Sequence, residues 1–95
     1  MNTNYPLVTI AIPTYNRANS YLKGAIQCAL DQTYPNLEII ISDNCSTDNT
    51  EAMVKSFKDD RIRYVKQKYN ISPNNNFNFC VKNAKGVYFL GSSPN

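Results

Sequence analysis

Hydrophobic positions recur along this chain in two rhythms, short continuous runs and helix-spaced stripes, and they alternate from start to finish. Leu7-Val8-Thr9-Ile10-Ala11-Ile12 is β-branched and nearly all apolar, the pattern of a strand buried on both faces, and Pro13 is expected to end it. Helical spacing follows at Leu22, Ala25, Ile26, Ala29 and Leu30, with Asn19 or Ser20 as N-cap. After a turn at Thr33-Tyr34-Pro35-Asn36, the run Leu37-Glu38-Ile39-Ile40-Ile41-Ser42 predicts a second buried strand that ends at Asp43.

Asn44-Cys45-Ser46-Thr47 reads as a loop, and Asp48 with Glu51 three residues on predicts a capping box at a second helix. Met53, Val54 and Phe57 give that helix its inner face. Arg61 to Val65 alternates charged and apolar residues, as a strand near a sheet edge would. Ser72-Pro73 predicts N-cap and N1 of a third helix, with apolar positions Phe77, Cys80, Val81 and Ala84. The asparagines from Asn74 to Asn78 read as its polar face. Val87-Tyr88-Phe89-Leu90, after Lys85-Gly86, predicts a fourth strand.

The order β-α-β-α-β-α-β implies right-handed crossovers and a parallel sheet with helices on its faces. Ligands of such sheets sit beyond the carboxyl ends of the strands, where strand order reverses. The loops to inspect are therefore Pro13-Thr14-Tyr15-Asn16-Arg17, then Asp43 to Asp48, then Gly91-Ser92-Ser93. The first supplies a hydroxyl, an aromatic ring and a guanidinium. The second places the Asp43 carboxylate at a strand terminus, where it can accept a base N–H or merely brace its loop. Tyr15 is equally readable as a loop aromatic and Arg17 as a partner for a surface carboxylate.

Composition narrows the chemistry. The chain has 95 residues, so one domain covering 1–95 is the expectation, with a modest core. Its net charge of +3 comes from scattered lysines and arginines, which read as solvated charges and not as a nucleic-acid patch. No apolar run approaches the roughly 20 residues of a membrane helix. The N-terminus lacks a signal-peptide pattern, and the cysteines at 28, 45 and 80 form no C-x-x-C pair; both point to a reducing, cytoplasmic setting. Cys28 and Cys80 are expected in the core. With no histidine, imidazole catalysis and histidine–metal sites are excluded within the chain. The three glycines form neither a dinucleotide fingerprint nor a phosphate loop. The charge of a bound pyrophosphate would then fall to Arg17 or to a divalent metal held by carboxylates.

Four segments, PLVTIAIPTYNR, ALDQTYPNLEIIISDNCSTDNT, DDRIRYVKQKYNIS and NAKGVYFLG, resemble in order and spacing the family 2 glycosyltransferases of the GT-A fold, over residues 6–91. The resemblance implies a Rossmann-like parallel sheet, ordered 3-2-1-4, forming the nucleotide-binding half of a GT-A domain. It implies transfer of a sugar from a nucleotide-diphosphate donor, a UDP- or dTDP-sugar, to an acceptor hydroxyl. By the same likeness Pro13, Thr14 and Tyr15 line the nucleoside pocket, Arg17 lies near it, and Asp43 binds the base. The full-length family holds Mn²⁺ or Mg²⁺ in an acidic cluster after the fourth strand.

Here that place reads Leu90-Gly91-Ser92-Ser93-Pro94-Asn95, and serine hydroxyls are weak ligands for a hard divalent cation. The expectation is therefore no metal ligand and no catalytic residue in this chain, an absent acceptor half, and a truncated protein inactive on its own. Two other readings stand beside it. One is a non-catalytic remnant that self-associates through an exposed strand 87–90, giving a homo-oligomer. The other, a flavodoxin- or receiver-like module, is disfavoured because Pro13-Thr14-Tyr15 stands where an acidic cluster would be.

Overall fold

A computed structural model describes residues 5–18 and 21–90, with the backbone alone described in the last strand. The elements run β1 (Val8–Thr14), α1 (Leu22–Leu30), β2 (Leu37–Asp43), α2 (Thr50–Lys55), β3 (Ile62–Lys66), α3 (Pro73–Asn83) and β4 (Val87–Leu90). The sheet is parallel throughout, ordered β3-β2-β1-β4. Alternation of strand and helix in the sequence thus translates directly into the α/β architecture expected.

Strand β1 runs two residues past Ile12, through Pro13. Its missing N–H is harmless there, because β4 pairs only with Val8 to Ala11, so Pro13 lies beyond that ladder. Side-chain parity divides the core into two layers. Ile10, Ile12, Leu37, Ile39 and Ile41 face Leu22, Ile26, Ala29 and Val54 of α1 and α2. Ala11 and Ile40 face Cys80, with Phe79 packed against them, on the α3 side. Ile12, Ile39, Ile40 and Ile41 are at most 1% exposed, and each such burial stabilises by about 1.5–3 kcal/mol. Half-buried residues from Ile62 to Val65 suit the edge position of β3.

Several expectations need correction. Cys28 is exposed, because the buried stripe of α1 is Leu22, Ile26 and Ala29, and Cys28 lies about 200° around the helix from Ile26. Helix α3 is rotated by one residue from its expected setting. Asn76, Phe79 and Cys80 turn inward, while Val81 is 42% exposed. The cause is Asn76, which is buried and exchanges two hydrogen bonds with Ser42 of β2: its Oδ1 accepts from Ser42 Oγ at 2.6 Å and its Nδ2 donates to Ser42 O at 3.1 Å. The asparagine run is therefore not simply a polar face.

Ser72 does cap α3, its Oγ accepting from Asn75 N at 3.1 Å, with Pro73 following. The capping box at α2 does not form. Asn49 occupies the cap position without a side-chain bond, and Asp48 reaches the helix from one residue earlier, accepting from Thr50 N at 3.0 Å and from the Thr50 hydroxyl. Glu51 turns outward to Lys55 at 2.8 Å. The caps expected at Asn19 or Ser20 lie outside the described residues.

The lower end of the sheet is closed by a polar network. Glu38 accepts from Thr9 Oγ1 at 2.6 Å and Lys85 N at 2.9 Å, and Arg63 lies 3.3 Å from its other oxygen. Thr9 Oγ1 in turn accepts from Gly86 N at 3.0 Å. Residue 86 must be glycine, since a Cβ there would stand 2.2 Å from Leu7 O.

Candidate functional site

The carboxyl ends of β1 and β2 lie side by side, Thr14 opposite Asp43, with Asn44 N donating to Thr14 O at 2.9 Å. Parallel pairing therefore brings the two loops singled out in the sequence to one end of the sheet. They are stitched together at Asn16. Its N–H donates to Ser46 Oγ at 2.8 Å, and its Oδ1 accepts from Thr47 N at 2.8 Å and Asp48 N at 3.3 Å. Asp48 adds a bond from Ala18 N at 3.3 Å. Both loops carry a left-handed, non-glycine residue, Asn16 at φ 50° and Cys45 at φ 62°. Such conformations cost about 1–2 kcal/mol each and persist only where surrounding bonds over-determine them.

Against these loops opens a pocket of about 410 Å³, lined by Pro13, Thr14, Tyr15, Arg17, Tyr21, Asn44, Asn70, Pro73 and Asn76. Four of the five residues expected in a site thus share one cavity. Tyr15 is 44% exposed, leaving ring area free to stack. Arg17 is exposed and forms no ion pair among the described residues. Thr14 is buried, and its hydroxyl is without a hydrogen-bond partner.

Asp43, the fifth, does not line the pocket. Its side chain is fully buried on the face of Ile39 and Ile41, where its Oδ1 accepts from Ser46 N at 2.9 Å and Ser46 Oγ at 2.5 Å. Its Oδ2 accepts from Tyr64 OH at 2.6 Å. Burial and the neighbouring Asp43 carboxylate both push the Tyr64 phenol up, so it stays a neutral donor. Its neighbour Asn44 reaches the pocket wall, with its own amide tied to Ile71 N at 2.7 Å and Ile71 O at 2.6 Å.

The opposite wall, Asn70 from the β3–α3 loop with Pro73 and Asn76 from the start of α3, is not among the residues expected from the sequence. The one available signal was the Ser72-Pro73 helix start, which places backbone N–H groups and the positive helix end beside a strand-end cleft. Among the described residues no group of three or more His, Cys, Asp or Glu side chains is placed to hold a metal ion. The stretch after β4, including Ser92 and Ser93, lies outside the described residues.

Residues 9–91 match Glycosyl transferase family 2. The chain belongs to that family. It is 41% identical over 88 residues to the Escherichia coli UDP-Glc:alpha-D-GlcNAc-diphosphoundecaprenol beta-1,3-glucosyltransferase WfaP, covering 90% of this chain and 35% of that protein. Among solved structures it is similar to a Pyrobaculum calidifontis mannosyltransferase in complex with GDP-Man and Mn²⁺, with TM-score 0.67 and 30% identity, over 88% of this chain and 26% of that one. It is similar also to Staphylococcus aureus TarS 1-349 in complex with UDP, with TM-score 0.75 and 23% identity, over 88% and 27% of the two chains. The fold is thus part of the GT-A fold. The chain spans between 13% and 37% of the lengths of eight curated relatives that it matches.

Proposed function

We propose that this chain binds the nucleoside-diphosphate portion of a sugar donor, a UDP- or dTDP-sugar, as the nucleotide-binding part of a glycosyltransferase acting on an acceptor hydroxyl. The observation that carries the reading is the single pocket wall bearing an open Tyr15 ring and an Arg17 guanidinium without an ion pair among the described residues. A ring of this kind stacks on a nucleobase, which is worth roughly 1–3 kcal/mol. A guanidinium meets the charge of a diphosphate, and the start of α3 faces the same space with its positive end. Pro13 and Thr14 form the rest of that wall. The name of the E. coli relative, with UDP-Glc as donor, supports the same choice of ligand.

Metal-dependent sugar transfer is not expected of these residues alone. A solved relative contains Mn²⁺ with its donor, whereas Ser92 and Ser93 stand where the family resemblance places the acidic cluster. Calorimetric titration with UDP in the presence of Mn²⁺, beside a donor-hydrolysis assay, tests both halves. Saturable binding without hydrolysis is the expected result. Absence of binding contradicts the nucleotide reading, and measurable metal-dependent turnover contradicts the inactive half.

A second reading rests on β4, which among the described residues has β1 as its one neighbour in the sheet. An edge strand with a free row of backbone groups is a template for pairing with a second copy. A monomeric elution volume at high micromolar concentration would exclude it.

A further inference from the structure

We propose that Asp43 is a positioning residue of the pocket, acting on the nucleotide through Ser46 and Asn16 without touching it. The inference rests on the nucleotide-binding reading and assigns a role within that site. A carboxylate at a strand end beside a nucleotide cleft is easily taken for a reader of the base edge. The geometry here leaves it no opening. Asp43 has no exposed surface, both its oxygens are engaged by Ser46 and Tyr64, and its neighbour Asn44 occupies the pocket wall.

What the carboxylate does reach is a directed chain of hydrogen bonds. Ser46 has one hydroxyl proton and gives it to Asp43 at 2.5 Å. That commitment turns a lone pair of the same oxygen toward Asn16, whose N–H donates to it at 2.8 Å. Asn16 sits in the left-handed region at φ 50°, and its chain neighbours are Tyr15 and Arg17. Its side chain is clamped as well, by Thr47 N and Asp48 N. The path from a buried anion to the two ligand-facing side chains thus passes through two hydrogen bonds and one constrained backbone position. An acceptor-only group at 43 fixes the polarity of the whole path, because a donor there would compete with the Ser46 hydroxyl for direction.

Base reading and positioning are separable with two nucleotides. Uracil presents an N3–H donor where cytosine presents an N3 acceptor beside an amino group. A carboxylate touching that edge favours UDP over CDP, so Asp43→Asn would change the ratio of the two affinities by about 10-fold or more. A positioning residue moves both affinities together. The experiment is calorimetric titration of the chain with UDP and with CDP, both with Mn²⁺, for wild type, Asp43→Asn, Ser46→Ala, Ser46→Thr and Tyr64→Phe, with a thermal melt of each.

The expected result is a loss of roughly 3- to 10-fold for both nucleotides in Asp43→Asn and Ser46→Ala, with their ratio unchanged. Ser46→Thr, which keeps the hydroxyl, restores binding. Tyr64→Phe lowers the melting temperature and leaves affinity in place, which separates positioning from plain stabilisation. A changed UDP-to-CDP ratio in Asp43→Asn overturns the inference, as does unaltered binding in Ser46→Ala. Should Asp43→Asn fail to fold, the two Ser46 variants decide. If the wild type takes up neither nucleotide, the nucleotide reading falls and this inference with it. If it binds and the ratio shifts, this inference alone falls.

Discussion

The two ends of the same parallel strands are both built from polar groups, yet they are finished differently. At the lower end Glu38 gathers the Thr9 hydroxyl, Lys85 N and Arg63, and Thr9 takes Gly86 N. This end is closed and, among the described residues, carries no positive-φ residue. At the upper end the bonds among Asp43, Ser46 and Asn16 hold two residues in left-handed conformations, and the same segments leave Tyr15 exposed and the Thr14 hydroxyl without a partner. One end spends its hydrogen bonds on cohesion, the other on holding side chains ready for something else. Backbone strain sits at the upper end, whereas each end keeps one buried polar atom without a partner, the Thr14 hydroxyl above and Arg63 Nε below.

The sharpest way to break this comparison is to remove each end's key group and see which property moves. Glu38→Ala should cost about 1–3 kcal/mol, since it takes the acceptor from the buried Thr9 hydroxyl and removes the contacts of Lys85 N and Arg63. That corresponds to a fall in melting temperature of about 4–8 °C per kcal/mol, with nucleotide affinity unchanged. Tyr15→Ala should do the reverse, lowering UDP affinity by roughly 10-fold or more while the melting temperature stays within a degree or two, because the ring is partly exposed and stacking contributes about 1–3 kcal/mol. Calorimetry and melting of both variants check the pair.

A smaller effect is expected from pH. Burial acts to raise the Glu38 carboxyl, but the Thr9 hydroxyl, Lys85 N–H and Arg63 outweigh it and hold the group below its ordinary 4.5. A carboxyl lowered on folding contributes stability above 4.5 that is lost as pH falls through its lower folded-state value. Urea melts below pH 4.5 should therefore show acid sensitivity that Glu38→Gln reduces. Asp59, held at about 2 by Arg61, adds little because solvent screens that pair. Smallest of all, Cys45→Gly should stabilise by up to about 1 kcal/mol by relieving φ 62°. A loss of stability there would mean that the Cys45 side chain matters more than its backbone.

Much of this was legible in the sequence. The β-branched runs at Leu7–Ile12 and Leu37–Ser42 read as strands buried on both faces, the helices between them imply a parallel sheet, and the strand order came from the family resemblance. The Ser72-Pro73 cap was readable because its chemistry is local. What escaped depends on angles that a sequence does not display. Whether Asp43 or Asn44 faces the cleft is a matter of parity at the strand rim, and one residue reverses the answer. The one-residue rotation of α3 is set by Asn76 meeting Ser42, 34 positions away in the chain, and no helical periodicity announces that pair. The missed pocket wall has the same origin, since Asn70, Pro73 and Asn76 join the site only through tertiary packing.

Nucleotide binding at the upper end of the sheet is expected to depend on Tyr15. The direct measurement is a calorimetric titration of wild type and Tyr15→Ala with UDP under identical conditions. Saturable heat in the wild type, with affinity roughly 10-fold or more weaker in the variant, is predicted. Indistinguishable titrations, or no uptake by either protein, would contradict it.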